Sequence, residues 1–146
     1  KIKTQAATLA FEQEKLSKVN ELGGWISFRD RVMSHREKLL GLLAGRDKRA
    51  LAYGASARSS TILNFCQIDH KHVLAIIDKN PLKHGLHTPG SDIPIISYET
   101  GASLAKEHDL VLLLAWNFQL EIITDLRKDD YGGKFLIPLS GDPTIV

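Results

Sequence analysis

Three features of the sequence predict a doubly wound α/β fold. Apolar runs of four or five residues recur between segments with helical spacing, the first of those runs empties into a small-residue turn, and helical patterning precedes all of them. At 146 residues with 43% hydrophobic content, the chain has material for one domain with a real core.

In order along the chain, residues 4 to 21 set Ala7, Leu9, Ala10, Phe11, Leu16 and Val19 at spacings near three and four, an amphipathic helix expected to end at Gly23-Gly24. A second helix is expected from Trp25 to Ala44, with Ile26, Phe28, Val32, Leu39, Leu40, Leu42 and Leu43 on one stripe and Gly45 as its stop. The expected organisation is therefore N-terminal helices over 1–45 and an α/β core over 46–146.

The core opens with Ala50 to Phe65. Ala50 to Tyr53 is a short strand, Gly54-Ala55-Ser56-Ala57 a turn, and Arg58-Ser59-Ser60-Thr61 the start of a helix carrying Ile62, Leu63 and Phe65. Val73 to Ile77 is a second buried strand ending at Asp78. Ile93 to Ile96 is a weaker third, placed at an edge by Pro94. Ser97 has the character of an N-cap for a helix from Tyr98 to about Glu107. Leu110 to Leu114 is the unbroken apolar run of a parallel strand covered on both faces. Asn117 to Lys128 forms another helix, and Gly132-Gly133 turns the chain into a last strand, Lys134 to Pro138. Five strands joined by helices or crossovers give a Rossmann-like, mostly parallel five-stranded sheet with the expected order 3-2-1-4-5.

In such a sheet the ligand crevice lies beyond the carboxyl ends of the strands. Tyr53 to Arg58, Asp78-Lys79-Asn80, Ala115-Trp116-Asn117-Phe118 and Pro138-Leu139-Ser140 converge there. Asp78 stands where a dinucleotide fold holds a ribose hydroxyl. The turn, however, keeps only one of the three glycines of the dinucleotide fingerprint, and Ser56 carries a side chain where backbone would approach a pyrophosphate. Ser56, Arg58, Ser59 and Ser60 are able to bind phosphate; the competing reading makes Ser59 a plain helix cap and Arg58 a solvated cation. Trp116-Asn117 could stack on and hydrogen-bond a ring, against the alternative of a Trp that closes the core edge.

Composition narrows the function classes. The net charge of +2 divides into 11 Lys/Arg against 6 Asp/Glu over 1–49 and 8 against 11 over 50–146. The basic half is read as a solvated helix surface, not a nucleic-acid interface, because no basic run is interleaved with aromatics. The single Cys66 leaves no partner for a disulfide or cysteine zinc cluster, suits a reducing, cytoplasmic compartment, and is expected to pack. The pairs His70/His72 and His84/His87 lack acidic or cysteine partners in a ligand pattern. No apolar run is long enough for a membrane span, and no nucleophilic triad or carboxylate pair is set out. The chain starts at Lys1, not Met, which suggests a piece of a longer protein.

Six blocks in fixed order, Tyr53-Gly54-Ala55-Ser56-Ala57-Arg58, Ile77 to Lys83, Thr88-Pro89-Gly90, Ile93-Pro94-Ile95, Leu112 to Phe118 and Phe135 to Pro138, resemble the C-terminal domain of S-adenosylmethionine-dependent C-methyltransferases that act on nucleotide-linked deoxysugars. The resemblance is strong from Arg49 to Pro138 and weak over 1–45. It implies a parent enzyme with an upstream zinc-binding region and a central S-adenosylmethionine-binding catalytic domain. It also implies that this domain's partner is that catalytic domain of the same chain, with a sugar nucleotide held between them. No cofactor is then expected within this chain and no catalytic residue in it. Tyr53, Gly54, Ala55, Ser56, Ala57, Arg58, Asp78, Lys79, Trp116 and Asn117 become the candidate substrate-binding residues. Ser59 stands where family members often have Gly. Two other classes compete: a binding module for a dinucleotide or coenzyme A derivative, and a domain that only braces the catalytic one.

Overall fold

Parallel strands buried on both faces need apolar residues at every position, and the central strands have them. The computed structural model describes residues 4–139 and 141–146, so Ser140, expected at the crevice, lies outside the described residues. Two compact units are present, 1–35 and 36–146.

In the first unit, Thr4 caps α1 (Gln5–Leu16) by accepting from the Ala7 N–H at 3.3 Å. α2 (Leu22–Leu43) begins in this unit, and its last two turns belong to the second. The expected stop at Gly23-Gly24 is corrected. Both glycines lie inside α2, and the break falls at Lys18, whose φ of 55° is left-handed. Gly24 is instead needed for close approach, since a Cβ there would meet the Lys18 carbonyl oxygen at 2.1 Å. α1 buries none of its residues; Leu9, Phe11 and Leu16 are exposed.

The second unit carries β1 (Ala50–Tyr53), α3 (Ala57–Cys66), β2 (Val73–Ile77), β3 (Ile95–Ile96), α4 (Tyr98–Ala105), β4 (Leu110–Leu113), α5 (Gln119–Lys128), β5 (Lys134–Ile137) and β6 (Thr144–Ile145). The described strands form a sheet in the order β3-β2-β1-β4-β5-β6, parallel except for β6. The expected order 3-2-1-4-5 is present, extended by an antiparallel sixth strand too short to show in the apolar pattern. β3 is also shorter than Ile93 to Ile96, because the proline leaves Ile95 as its first ladder residue. The helix expected from Asn117 starts as a 3-10 turn, Trp116–Phe118, before α5.

Alternation along each strand divides the core in two. Ala50, Ala52, Ile76 and Leu112 face Leu39 and Leu43 of α2 and Ile62, Leu63 and Cys66 of α3. Leu51, Tyr53, Ile77, Val111 and Leu113 face Ala102 and Ala105 of α4 and Ile122 and Leu126 of α5. No helix among the described residues is long and apolar enough to cross a membrane.

The chain leaves β1 at Gly54, whose φ is 98°. Its N–H donates to the Ile77 carbonyl at 2.8 Å, and a Cβ there would stand 2.6 Å from the Ala115 Cβ. Both strain and collision therefore oppose a side chain. Gly54→Ala is expected to lower stability by roughly 3 kcal/mol and the melting temperature by on the order of 10 °C. Gly132→Ala, where a Cβ meets nothing within 4 Å, is the control expected to melt close to the parent. Equal melting temperatures for the two variants would contradict the close-approach argument.

Candidate functional site

At the carboxyl ends of β1, β2 and β4 the turn 54–57 is occupied by the protein's own groups. Ser56 is the N-cap of α3: its Oγ accepts from the Ser59 N–H at 3.2 Å, while the Ser56 N–H donates to Ser59 Oγ at 3.1 Å. Ser59 Oγ in turn donates to the Gly54 carbonyl at 2.6 Å. This reciprocal capping box satisfies the N–H groups of Ser56 and Ser59, two of those that a helix start would otherwise offer to an anion. Ser59, fully buried, is thus an internal brace.

Asp78 is equally committed. Its Oδ2 accepts from the Ala55 N–H at 2.8 Å and from Lys83 Nζ at 3.0 Å, and its Oδ1 accepts from the Asn80 N–H at 2.9 Å. Lys83 Nζ also donates to the Ala55 carbonyl at 2.6 Å. Burial alone would raise the Asp78 pKa, but these three donors hold the carboxyl below the usual aspartate range. The carboxylate of the ribose-binding position, with its lysine, therefore ties the turn after β1 to the end of β2.

Two groups remain open to a ligand. On the rim beside α3, the Arg58 guanidinium lies 5.5 Å from the centroid of the Trp116 ring, and its Nη2 is 3.4 Å from Asn117 Oδ1. A cation, an indole and an amide thus share one partly exposed surface. On the other side of β1, a cavity of about 310 Å³ is lined by Tyr53, Gly54, Asp78, Lys79, Ala115, Phe118, Glu121 and Ile122. Lys79 spans it, its Nζ donating to Glu121 Oε1 at 3.3 Å and Asp125 Oδ2 at 3.0 Å, and lying 5.6 Å from the Tyr98 ring centroid. The Asp125 hydrogen bond raises the Lys79 pKa. A second hollow of about 400 Å³, lined by His84, Ser97, Tyr98 and Glu99, adjoins it at Lys79. A larger one of about 690 Å³ lies at the opposite, amino-terminal edge of the sheet, around Arg46, Lys48, Glu107 and Asp109, away from the converging loops.

Of the residues expected at the crevice, Tyr53, Gly54, Asp78 and Lys79 line the cavity and Arg58, Trp116 and Asn117 form the rim cluster. Ala55 serves Asp78 and Lys83, Ser56 caps α3, and Ala57 is its first residue. Lys83, Tyr98, Phe118 and Glu121 were not singled out as ligand contacts. Lys83 follows Asp78 across a turn begun by Pro81, and Glu121 sits in the first turn of α5; both placements are visible in the chain only once the loop geometry is known. Among the described residues no group of three or more His, Cys, Asp or Glu could hold a metal ion, and the Ser56 and Ser59 side chains stand in the turn that a tightly laid pyrophosphate would approach.

Matches to known proteins include the following. The family described as C-methyltransferase C-terminal domain matches residues 1–140. The C-methyltransferase NovU of Streptomyces niveus is 33% identical over 118 residues, which cover 80% of this chain and 27% of that protein. This chain thus spans about a quarter of the length of that relative. The crystal structure of UDP-D-quinovosamine 4-dehydrogenase from Vibrio fischeri aligns over 62% of this chain and 77% of that one, with 26% identity and a TM-score of 0.47.

The Asp78 cluster makes a pH-dependent prediction. A carboxyl whose folded pKa is depressed contributes stability that is complete above its ordinary value of 3.8 and is lost as pH falls below that value through the lower folded one. Asp78→Asn leaves the Lys83 ammonium, about a third exposed, without its charged partner and is expected to cost about 1–2 kcal/mol near neutral pH. In urea denaturation from pH 7 to pH 3, the gap between parent and variant should narrow only in the acid part of the series. A constant gap would refute the charge-based account.

Proposed function

The chain belongs to the C-methyltransferase C-terminal domain family, and we propose that it is the substrate-binding, non-catalytic part of an S-adenosylmethionine-dependent, cytoplasmic C-methyltransferase acting on a nucleotide-linked sugar. The methyl donor and the residues that deprotonate the acceptor carbon belong, on this reading, to a central catalytic domain of the same chain, and the zinc ion to a separate region before it. The two domains share the sugar nucleotide between them.

The observation that carries the proposal is the division at the turn. The groups that a dinucleotide fold gives to pyrophosphate and ribose are here bonded to one another, Asp78 with Lys83 and Ser56 with Ser59, while Arg58, Trp116 and Asn117 stay accessible a short distance away. An indole offers a stacking face to a nucleobase, the guanidinium a charge-assisted hydrogen bond to phosphate, and the amide a donor and an acceptor. Those are the needs of a nucleotide held at a rim. The same filling weighs against a dinucleotide or coenzyme A module.

What these residues do in the reaction follows from that position. They bind the substrate equally before and during methyl transfer, so their loss acts on binding and not on the chemical step. In the full-length enzyme, Arg58→Ala and Trp116→Ala should each raise KM for the sugar nucleotide by about tenfold with kcat little changed. KM for S-adenosylmethionine should not move. Unchanged sugar-nucleotide kinetics in both variants would leave a bracing role instead.

A further inference from the structure

Tyr53 ends β1 on the α4/α5 face, with 6% of its surface exposed and its ring edge-on to Tyr98 at 6.3 Å between centroids. Its hydroxyl oxygen is buried, yet among the described residues it has no hydrogen-bond partner. Buried hydroxyls are nearly always paired, and leaving one unpaired costs about 1–3 kcal/mol. Tyr98 shows the ordinary case in the same corner, donating to Asp129 Oδ2 at 2.6 Å. Phenylalanine would give the same packing at position 53 without that cost.

Tyr53 lines the cavity of about 310 Å³, whose size is at the low end for ligand sites and suits one ring rather than a whole nucleotide. Around it stand the carboxylates Asp78, Glu121 and Asp125 against the ammoniums Lys79 and Lys83, and each ammonium is already hydrogen-bonded to one or two of those carboxylates. Lys128 also stands 3.9 Å from Asp125, so a further negative group would find each of these ammoniums already paired with carboxylate, which disfavours phosphate here. A neutral hydroxylated ring fits better. Its hydroxyls can donate to Glu121 and, once a covering side chain shifts rotamer on binding, exchange hydrogen bonds with Tyr53, while its C–H faces rest on Phe118, Ala115 and Ile122. Burial pushes the Tyr53 phenol upward, keeping it a neutral donor and acceptor.

We propose that this cavity binds an uncharged, hydroxyl-bearing ring of the sugar nucleotide, with the Tyr53 hydroxyl as a specificity-determining contact, separate from the Arg58–Trp116–Asn117 rim that takes the charged and aromatic parts. The inference rests on the sugar-nucleotide reading above. Two rings of such a substrate have the required chemistry, the pentose of the nucleoside and the hexose beyond the phosphates.

Tyr53→Phe in the full-length enzyme removes only the hydroxyl. The variant is expected to melt at or above the parent temperature without ligand and to bind the sugar nucleotide about tenfold more weakly, with KM for S-adenosylmethionine unchanged. Competition by the nucleoside diphosphate alone identifies the ring. An equal weakening of that inhibitor assigns the pentose to the cavity, and an unweakened inhibitor assigns the hexose. A lowered melting temperature would make the hydroxyl a structural group and overturn the proposal, as would unaltered sugar-nucleotide binding. If Tyr53→Phe has no effect while Arg58→Ala still weakens the sugar nucleotide, the cavity assignment fails and the functional reading survives; if neither variant alters sugar-nucleotide binding, the reading itself fails.

Discussion

The Asp78 carboxylate, gripped by two backbone N–H groups and the Lys83 ammonium, fixes the crest of this sheet. A turn that leaves a strand with a positive φ has no regular ladder to define its path, so its position must come from elsewhere. Here Asp78 supplies it from the neighbouring strand, and Lys83 closes the circuit by also binding the carbonyl of Ala55. Asp78 is buried while Lys83 is about a third exposed, so the carboxylate is the member that depends on its partner; removing the ammonium would leave it in a poorly solvated place. The geometry of α3, which starts at that turn, follows from the same knot.

That knot also explains why the crevice has two halves. Side chains alternate across β1, so Tyr53 falls on the α4/α5 side, while the turn that follows leads into α3 on the opposite face. Between them the backbone is drawn tightly against Ala115, with no room for a side chain at Gly54. A ligand crossing the strand ends therefore meets a cationic, aromatic surface on one side and a lined hollow of carboxylates, apolar groups and one idle hydroxyl on the other. The partition is imposed by strand periodicity, and the chemistry of each half by which residues that periodicity selects.

Much of the layout was legible because central parallel strands must be apolar throughout. Val73 to Ile77 and Leu110 to Leu113 announce themselves by that rule, and Gly54 by the abrupt change to small residues. The convergence of Tyr53, Arg58, Asp78, Lys79, Trp116 and Asn117 on the strand ends followed from topology alone. What those side chains do once there was less legible, because hydrogen bonding at this range depends on loop conformation. Nothing in the order of residues distinguishes an Asp78 that waits for a ribose from one already saturated by Ala55, Asn80 and Lys83. Ser59 is similar: a helix-start serine reads as a cap, whereas its hydroxyl also reaches back to Gly54. Gly23-Gly24 misled for the converse reason, since glycine marks close approach as well as helix ends. β6, two residues long at the sheet's border, has too little periodicity to register.

The borders of the sheet carry a consequence of their own. β3 offers two ladder residues after a proline, and at the far side β6 folds back antiparallel over β5, with Phe135 and Val146 exchanging both backbone hydrogen bonds. Among the described residues neither border presents the long row of unpaired amide and carbonyl groups onto which another chain could add a strand. Strand addition along these two borders is thereby discouraged.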